Sequence, residues 1–374
     1  MKIAIDARFL GPEGAGIGKY IDNLLANLAE IDQKNEYVVL LQKSNFHLFN
    51  PTNDNFKKIL IDTHWYSVKE QFLLPFVISK EKPDLVHFPH FNVPLLFRGK
   101  FVATIHDLTL SKYGKEISQS KLYPLKRLLY SQTLKKAVYG SRKIITPSNF
   151  VRRQLMKDFK APKEKIVVIY EAADKVFIEQ GKRDLSIGEK RKVLATYGVK
   201  EPFILTVGNS YPYKNVGKVL ECLTLLPQNI NLVHVSKKDY FSNLLSEKSK
   251  KLGLENRFVV TGSVDSEELA ILYKSAKAFV FPSLSEGFGL PGLEAVASGC
   301  PVVCSNIEVF EEVYGEAALY FNPKDPRDIE EKISLVTTNS ELRTQNTRKG
   351  LEQVKKYSWK KLAQETLDVY NASV

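Results

Sequence analysis

Short apolar runs alternate with amphipathic stretches along most of the chain. The runs of the first half lie at 2–6, 37–41, 58–61, 85–88, 101–105, 143–146 and 166–169. After a polar stretch at 179–191, which is typical of a linker, a second series lies at 203–207, 231–235, 258–261, 278–281, 302–304 and 318–321. Strands that alternate with helices form parallel sheets with helices on both faces. The pattern predicts an α/β protein with two doubly wound, Rossmann-like domains that face each other across a central cleft, where such sheets bind ligands.

The most informative segment is a glycine-rich stretch after the fourth run of the second series. It holds two carboxylates eight positions apart, Glu286 and Glu294, with Gly287, Gly289 and Pro291 between them. Proline suits a first helical turn, and glycine lets backbone approach a ligand closely. A strand, a glycine-rich turn and a helix in this order bring an anion-binding helix N-terminus to the edge of the sheet. Because carboxylates bind phosphate poorly but accept hydrogen bonds from sugar hydroxyls, the segment indicates a phosphorylated sugar or a nucleotide.

The composition is that of a soluble globular protein, with 44% hydrophobic and 26% charged residues in a chain of 374. The longest apolar run, at 72–78, is far too short to cross a bilayer. The N-terminus reads as an alternating strand and has no long apolar signal core. Three cysteines form no disulfide framework, and Cys300 and Cys304 lack the second ligand pair of a zinc site. We therefore expect a cytoplasmic protein.

The charge is unevenly distributed. The net charge is +12, and residues 101–170 carry 15 Lys/Arg against 4 Asp/Glu. The basic residues between 121 and 160 lie among leucines and tyrosines with helical spacing. A solvated helix face and a surface for anionic lipid headgroups explain this pattern equally well, and the second would place the protein on the inner face of the membrane. Nucleic acid is not expected as a partner, because no RNA- or DNA-binding motif accompanies the charge.

The residues from 278 to 304 resemble the signature of a known enzyme family. Glu286 and Glu294 match the E-x7-E motif of the family-four retaining glycosyltransferases, and the surrounding glycines and prolines match nearly without gaps. The likeness covers essentially the whole chain, from the glycine-rich stretch at 11–18 to the Ser-Trp-Lys segment at 358–360. It implies a hexosyltransferase that uses a nucleotide-diphosphate sugar and retains the configuration of the transferred sugar.

The resemblance also implies a division of labour along the chain. It implies the GT-B fold, with a Rossmann-like acceptor domain at 1–190 and a Rossmann-like donor domain at 191–355. The last segment, 356–374, is expected to form a helix that crosses back to the first domain.

Lys214 follows the first strand of the second series, in a turn that opens with Gly208 and Asn209. A lysine at a helix start pairs favourably with a diphosphate, and glycine permits close backbone approach. The turn resembles the family's phosphate-binding turn, in which the lysine offsets the charge of the departing nucleotide. Many relatives place an arginine directly before the lysine or just after the glycine, where this chain has Tyr213 and Asn209.

Further roles follow from the resemblance alone. Glu294 is expected to hold the ribose diol, and His106, which ends an apolar strand in the first domain, to orient the sugar. Gly16 and Gly18 resemble the first-domain loop whose amides approach the donor phosphates or the acceptor. The sugar hydroxyls are expected to bind Glu286 and the backbone of Gly287, Phe288, Gly289 and Leu290.

Other polar residues near strand ends are weaker candidates. His87 and His90 line the acceptor pocket or pack ordinarily, with equal support for each interpretation. Glu171 and Asp174 fall where relatives carry an N-G-x-D-like turn, but the glycine is absent and both are left outside the site. The Gly16-x-Gly18 pair lacks the third glycine of a dinucleotide fingerprint, which argues against NAD.

The cofactor and the substrates are expectations of different strength. No D-x-D occurs in the sequence, so we expect neither a metal nor another cofactor, and Lys214 with helix N-termini must stabilise the leaving diphosphate. The resemblance favours GDP-mannose as donor, with a UDP-sugar close behind because nothing in the sequence reads the base. The acceptor, a glycan or a lipid-linked or other glycoconjugate, is left open, as is a non-catalytic sugar- or lipid-binding scaffold on the same fold.

Overall fold

The computed structural model describes residues 1–51, 53–118 and 123–374. The chain folds into two compact units. Unit 1 comprises Met1–Glu171 together with Ser358–Val374, and unit 2 comprises Ala172–Tyr357. Each unit is built on one parallel sheet, so the predicted pair of doubly wound domains is confirmed.

Unit 1 has a sheet of seven described strands in the order β3-β2-β1-β4-β5-β6-β7. The strands are β1 Lys2–Asp6, β2 Glu36–Leu41, β3 Phe56–Leu60, β4 Leu85–Phe88, β5 Phe101–Thr104, β6 Ile144–Thr146 and β7 Ile166–Val168. The helices are α1 Ala15–Ile31, α2 Val68–Glu81, α3 Thr109–Ile117, α4 Tyr123–Gly140, α5 Asn149–Phe159 and, from the C-terminus, α15 Trp359–Asn371.

Unit 2 has a sheet of six described strands in the order β10-β9-β8-β11-β12-β13. The strands are β8 Phe203–Val207, β9 Asn231–Val235, β10 Phe258–Val260, β11 Ala278–Phe281, β12 Val302–Ser305 and β13 Ala318–Phe321. The helices are α6 Lys175–Lys182, α7 Ile187–Thr196, α8 Val216–Leu223, α9 Tyr240–Lys251, α10 Ser266–Ser275, α11 Leu290–Ala297, α12 Glu308–Tyr314, α13 Pro326–Thr338 and α14 Ser340–Val354.

The C-terminal helix belongs to unit 1 because it packs on α1. Ser358 caps it by accepting a hydrogen bond from the Lys361 N–H. Its Tyr370 hydroxyl lies 2.6 Å from Nδ1 of His87 in β4. Burial lowers the pKa of His87 to about 3, so this histidine is a neutral packing residue and not part of an open pocket.

Two local predictions were wrong. Helix α1 begins at Ala15, so Gly16 and Gly18 lie in a helix and not in a loop. The predicted linker at 179–191 is largely helical, because Ser186 and Glu189 form a capping box at the start of α7. Since α6 packs on α10 and α11, and α7 on α10, this stretch belongs to unit 2, which begins at Ala172 and not at 191.

The basic segment lies on the helices α4 and α5 of unit 1. Its first two positions, Lys121 and Leu122, fall outside the described residues. Ser148 caps α5 by accepting a hydrogen bond from the Val151 N–H at 3.2 Å. Within the described ranges, every helix is too short or too polar to pass through a lipid bilayer.

Candidate active site

The turn from β11 into α11 is shaped by a buried tyrosine. Gly289 ends the turn with φ 101°, a conformation that favours glycine, and Pro291 lies in the first turn of α11. The Tyr314 hydroxyl donates a hydrogen bond to the Gly289 carbonyl at 2.5 Å. A Cβ at Gly289 would lie 2.4 Å from that hydroxyl, and a Cβ at Gly292 2.2 Å from it. Both glycines are therefore needed by packing, whereas Gly289 was expected to make room for a ligand.

Gly292→Ala is expected to destabilise the protein by about 1–3 kcal/mol, the usual effect of overpacking a core. Tyr314 is fully buried, and moving its ring would break its hydrogen bond to Gly289. Urea unfolding measures the change. Gly188→Ala is the matched control, because a Cβ at this exposed helical position meets no atom within 4 Å and is expected to be neutral or stabilising. Equal midpoints for the two variants would contradict this interpretation of the turn.

Lys214 and Glu286 form an ion pair at the carboxyl edge of the unit 2 sheet. Lys214 Nζ donates to Glu286 Oε1 at 2.6 Å, and both side chains are 13% exposed. They follow β8 and β11, which are neighbouring strands. The Leu284 N–H donates to the Tyr213 carbonyl at 2.8 Å and joins the two loops. The structure thus brings together two residues that the sequence separates by 72 positions.

Glu294 lies one turn into α11 and is only 4% exposed. A carboxylate so deeply buried costs free energy unless it is compensated by hydrogen bonds or charges. The charge of Glu294 also acts on the buried Tyr273. The pKa of Tyr273 is raised well above its ordinary value, mainly by burial and next by the negative charge of Glu294. The Glu294 side chain therefore lies in the interior of unit 2, whereas Glu286 pairs with Lys214 in the loop region.

The turn after β8 leaves space at Gly208. Its φ is 132°, and the nearest atom to a Cβ built there is Lys214 Cε at 4.0 Å. The Gly208 N–H donates to the Val235 carbonyl at 3.0 Å, and the Asn209 side chain accepts a hydrogen bond from the Tyr211 N–H. The amide of Asn209 thus shapes the turn from within. The open volume at Gly208 is compatible with the close approach of a phosphate.

A buried histidine, missed in the sequence, anchors this turn. His234 in β9 lies between the hydroxyls of Thr206, at 2.9 Å, and Ser210, at 3.0 Å. The Ser210 hydroxyl also lies 3.0 Å from that of Ser236. Burial lowers the pKa of His234 to about 4, so the imidazole is neutral and holds the turn by hydrogen bonds. Its strand-end position, shared with His87 and His106, is the sequence signal that could have pointed to it.

In unit 1, His106 is paired with a residue that the sequence analysis left out. His106 Nδ1 lies 3.0 Å from Glu171 Oε1, and Nε2 lies 2.9 Å from the Pro89 carbonyl. Burial lowers the pKa of His106, but the Glu171 hydrogen bond and charge outweigh it and the net shift is upward. Since Glu171 Oε1 and the Pro89 carbonyl are both acceptors, their positions and the upward shift favour the protonated imidazole, in which both ring nitrogens donate. Glu171 belongs to this cluster, although it lacks the glycine-containing turn of the resemblance.

The two glycines of α1 differ in their surroundings. A Cβ at Gly18 would lie 2.2 Å from the Gly11 carbonyl, so Gly18 is required by close packing of backbone on backbone. A Cβ at Gly16 would meet no atom within 4 Å. Of the two, Gly16 is the one that exposes its backbone to an approaching ligand.

A buried ionic cluster, also missed in the sequence, lies directly after β1. Arg8 binds Asp6 through two nitrogens at 2.8 Å each, and its Nη2 binds Glu70 at 2.5 Å. Glu70 also accepts a hydrogen bond from the Asn92 side chain at 2.7 Å. His90 is buried nearby, and its ring packs against that of Phe9. Because burial lowers the pKa of His90, we interpret it as a neutral packing residue. This cluster fixes the chain that leads from β1 into the glycine-rich turn.

Two family profiles together match most of the chain. The profile "Glycosyltransferase Family 4" matches residues 14–175, and "Glycosyl transferases group 1" matches residues 188–353. O-antigen chain mannosyltransferase B of Escherichia coli is 30% identical over 295 residues, which cover 77% of this chain and 74% of that protein. O-antigen chain mannosyltransferase RfbU of Salmonella typhimurium is 29% identical over 334 residues, covering 87% and 88% of the two chains.

Solved structures agree on the architecture. Sucrose-phosphate synthase from Thermosynechococcus elongatus superposes with a TM-score of 0.78 at 18% identity, covering 100% of this chain and 98% of its own. HepE from Anabaena, solved with UDP-glucose, gives 0.77 at 15% identity and covers both chains completely. The fold is the GT-B fold of nucleotide-sugar-dependent glycosyltransferases. The chain belongs to the family-four glycosyltransferases, and it is an enzyme that transfers a sugar from a nucleotide sugar.

Proposed function

We propose that this glycosyltransferase is a retaining, metal-independent hexosyltransferase that transfers mannose from GDP-mannose to a hydroxyl of a glycan, lipid-linked or other glycoconjugate acceptor. The Lys214–Glu286 pair carries the proposal, because one cation for a diphosphate and one acceptor for a sugar hydroxyl lie 2.6 Å apart. A bound nucleotide sugar would replace the ion pair by two contacts, its diphosphate with Lys214 and a sugar hydroxyl with Glu286.

Each residue of the site has a distinct task in this proposal. Lys214 neutralises the charge that develops on the leaving diphosphate, helped by the N–H groups that open α11. Glu286 and the backbone of 287–290 hold the sugar hydroxyls, and Glu294 holds the ribose diol. His106 orients the sugar. A phosphate oxygen of the donor takes the proton of the acceptor hydroxyl, so the protein supplies no nucleophile.

Two observations bear on the donor. The relatives named above are mannosyltransferases, which favours mannose and its usual guanine nucleotide. HepE, solved with UDP-glucose, has the same fold, so a UDP-sugar is the second candidate.

The described residues contain no cluster of three or more metal-binding side chains, and the site as proposed uses Lys214 where a metal would otherwise hold the diphosphate.

The proposal is tested by incubating the protein with a panel of GDP- and UDP-sugars and measuring nucleotide release, with and without EDTA. The expected result is release from GDP-mannose that EDTA leaves unchanged. Release only from a UDP-sugar would reassign the donor, and loss of activity with EDTA would refute the metal-free mechanism. If the protein neither turns over nor binds any nucleotide sugar, the result would favour the non-catalytic scaffold.

We also propose that the basic segment at 121–160 holds the enzyme at an anionic membrane surface as a peripheral protein. The outer side of α4 supports this, since three leucines lie among basic side chains there. Leu125, Leu128 and Leu129 are 54%, 55% and 52% exposed. Lys126 and Arg127 lie between them in the sequence. Positive side chains attract anionic lipid headgroups, and exposed leucines beside them can contact the acyl chains.

Changing Arg152, Arg153 and Lys157 to glutamine is expected to weaken binding to vesicles rich in phosphatidylglycerol by roughly 100-fold at low salt. Each basic residue near an anionic leaflet contributes about 1 kcal/mol, and the effect should shrink as salt rises. Vesicle co-sedimentation measures it. The matched control changes three exposed lysines of unit 2 to glutamine, Lys237, Lys250 and Lys251. This variant loses the same amount of positive charge. Equal losses in both variants would mean that only net charge matters.

A further inference from the structure

Helix α2 is apolar on two faces. Leu74 and Ile78 point inward and are 0% and 1% exposed. Val68, Phe72 and Phe76 recur every four residues on the outer face and are 78%, 65% and 54% exposed. A helix on the surface of a globular domain normally keeps its outer face polar, and a contiguous apolar patch marks an interaction site.

The loop after β4 extends this outer face. The Leu95 N–H donates to the Gln71 side chain of α2 at 2.8 Å, which fixes the loop beside the helix. Leu95 is 38% exposed and Leu96 49%. We refer to Val68, Phe72, Phe76, Leu95 and Leu96 as the apolar ridge.

The rim of the apolar ridge is basic. Lys80 Nζ lies 4.4 Å from the centre of the Phe76 ring, and Lys69, Arg98 and Lys100 flank the ridge residues in sequence and are exposed. Two of the nearby carboxylates are already engaged. Glu70 is buried against Arg8, and Glu81 pairs with Lys57 at 3.0 Å.

The apolar ridge shares a layer with the leucines of α4. Leu74 and Ile78 of α2 pack in the same core as Leu134 and Val138 of α4, on one face of the unit 1 sheet. The exposed sides of both helices also carry apolar side chains next to lysine or arginine. A surface of this composition suits the boundary between anionic headgroups and acyl chains.

We infer that the apolar ridge inserts into the acyl region of an anionic bilayer and so anchors unit 1. This inference extends the membrane part of the proposed function from attraction between charges to insertion of named side chains. A second copy of the chain is a poorer occupant, because two ridges in a two-fold contact would bring their basic rims together. Anionic lipid instead offers charge complementarity at the rim and an apolar phase at the centre.

The test compares the wild type with the double variant Phe72→Ser/Phe76→Ser on vesicles of phosphatidylglycerol and phosphatidylcholine. In about 1 M salt, where the Debye length is ~3 Å, attraction between charges is screened and insertion remains. The wild type is expected to retain binding at high salt, and the variant to lose it by at least roughly tenfold. The control, Leu225→Ser/Leu335→Ser, removes two side chains of unit 2 that are 55% and 41% exposed and should bind as the wild type does.

A second measurement reports insertion directly. Phe72→Trp is expected to show a blue-shifted emission with vesicles and quenching by brominated acyl chains. Absence of both signals, or high-salt binding equal in wild type and double variant, would overturn the inference. So would a dimer that the double variant turns into a monomer, since the ridge would then bind a second copy. Nucleotide release without vesicles should be equal in all variants; its absence in the wild type would refute the proposed activity and leave the vesicle result to stand alone.

Discussion

Replacing Lys214 with alanine is expected to lower kcat/KM for the nucleotide sugar by roughly 100- to 1000-fold, the loss seen when one group that stabilises developing charge is removed. The expected loss is large because the positions where many relatives carry an arginine hold Asn209 and Tyr213 in this chain. The Tyr213 ring lies 5.4 Å from Lys214 Nζ and contributes no positive charge of its own. Steady-state kinetics of nucleotide release measure the effect.

Two further variants separate charge from structure. Lys218→Ala removes a lysine one turn along the chain, paired with Glu221 on the surface, and should change kcat/KM little. Lys214→Arg keeps the charge and should recover part of the activity. A Lys214→Ala enzyme as active as Lys218→Ala would show that backbone N–H groups alone stabilise the diphosphate, and it would remove Lys214 from the site.

The fold could be predicted from the sequence because parallel strands buried on both faces form continuous apolar runs. All thirteen predicted runs overlap strands of the two described sheets. One of the two errors fell on a polar stretch. The stretch at 179–191 has the composition of a linker, but the Ser186–Glu189 capping box makes it helical, and Phe177 and Val193 fix the two helices to unit 2. Local composition does not carry the contacts of a helix with distant elements.

The candidate site could be predicted only in part, for the same reason. The pairing of Lys214 with Glu286 follows from two strand ends that are neighbours in a doubly wound sheet. The packing of Tyr314 on Gly289 and Gly292 has no local signal, because it depends on the path of α12 over α11. The pairing of His106 with Glu171 likewise joins residues 65 positions apart, and no short motif marks both.

Glu286→Gln is expected to change two properties in opposite directions. Transfer should fall by roughly 100-fold, because the amide is a weaker acceptor for a sugar hydroxyl than the carboxylate. Affinity for the nucleoside diphosphate alone should rise severalfold. The Glu286 carboxylate pairs with Lys214 Nζ at 2.6 Å and so competes with a diphosphate for this cation, and its negative charge also repels the diphosphate. Both effects disappear when the carboxylate is replaced by an amide.

This opposite response distinguishes the ion pair of a donor site from a structural one. Isothermal titration with GDP and UDP gives the affinity, and nucleotide release gives the turnover; Glu316→Gln, a surface pair with Lys349, is the control. A purely structural pair, once broken, would leave a half-buried lysine without its carboxylate, and both binding and turnover would fall together with stability. Weaker diphosphate binding by Glu286→Gln at unchanged stability would show that Glu286 positions Lys214 for the donor instead of competing with it. The sign of one binding change therefore decides whether the carboxylate first has to release the lysine before the sugar donor can bind.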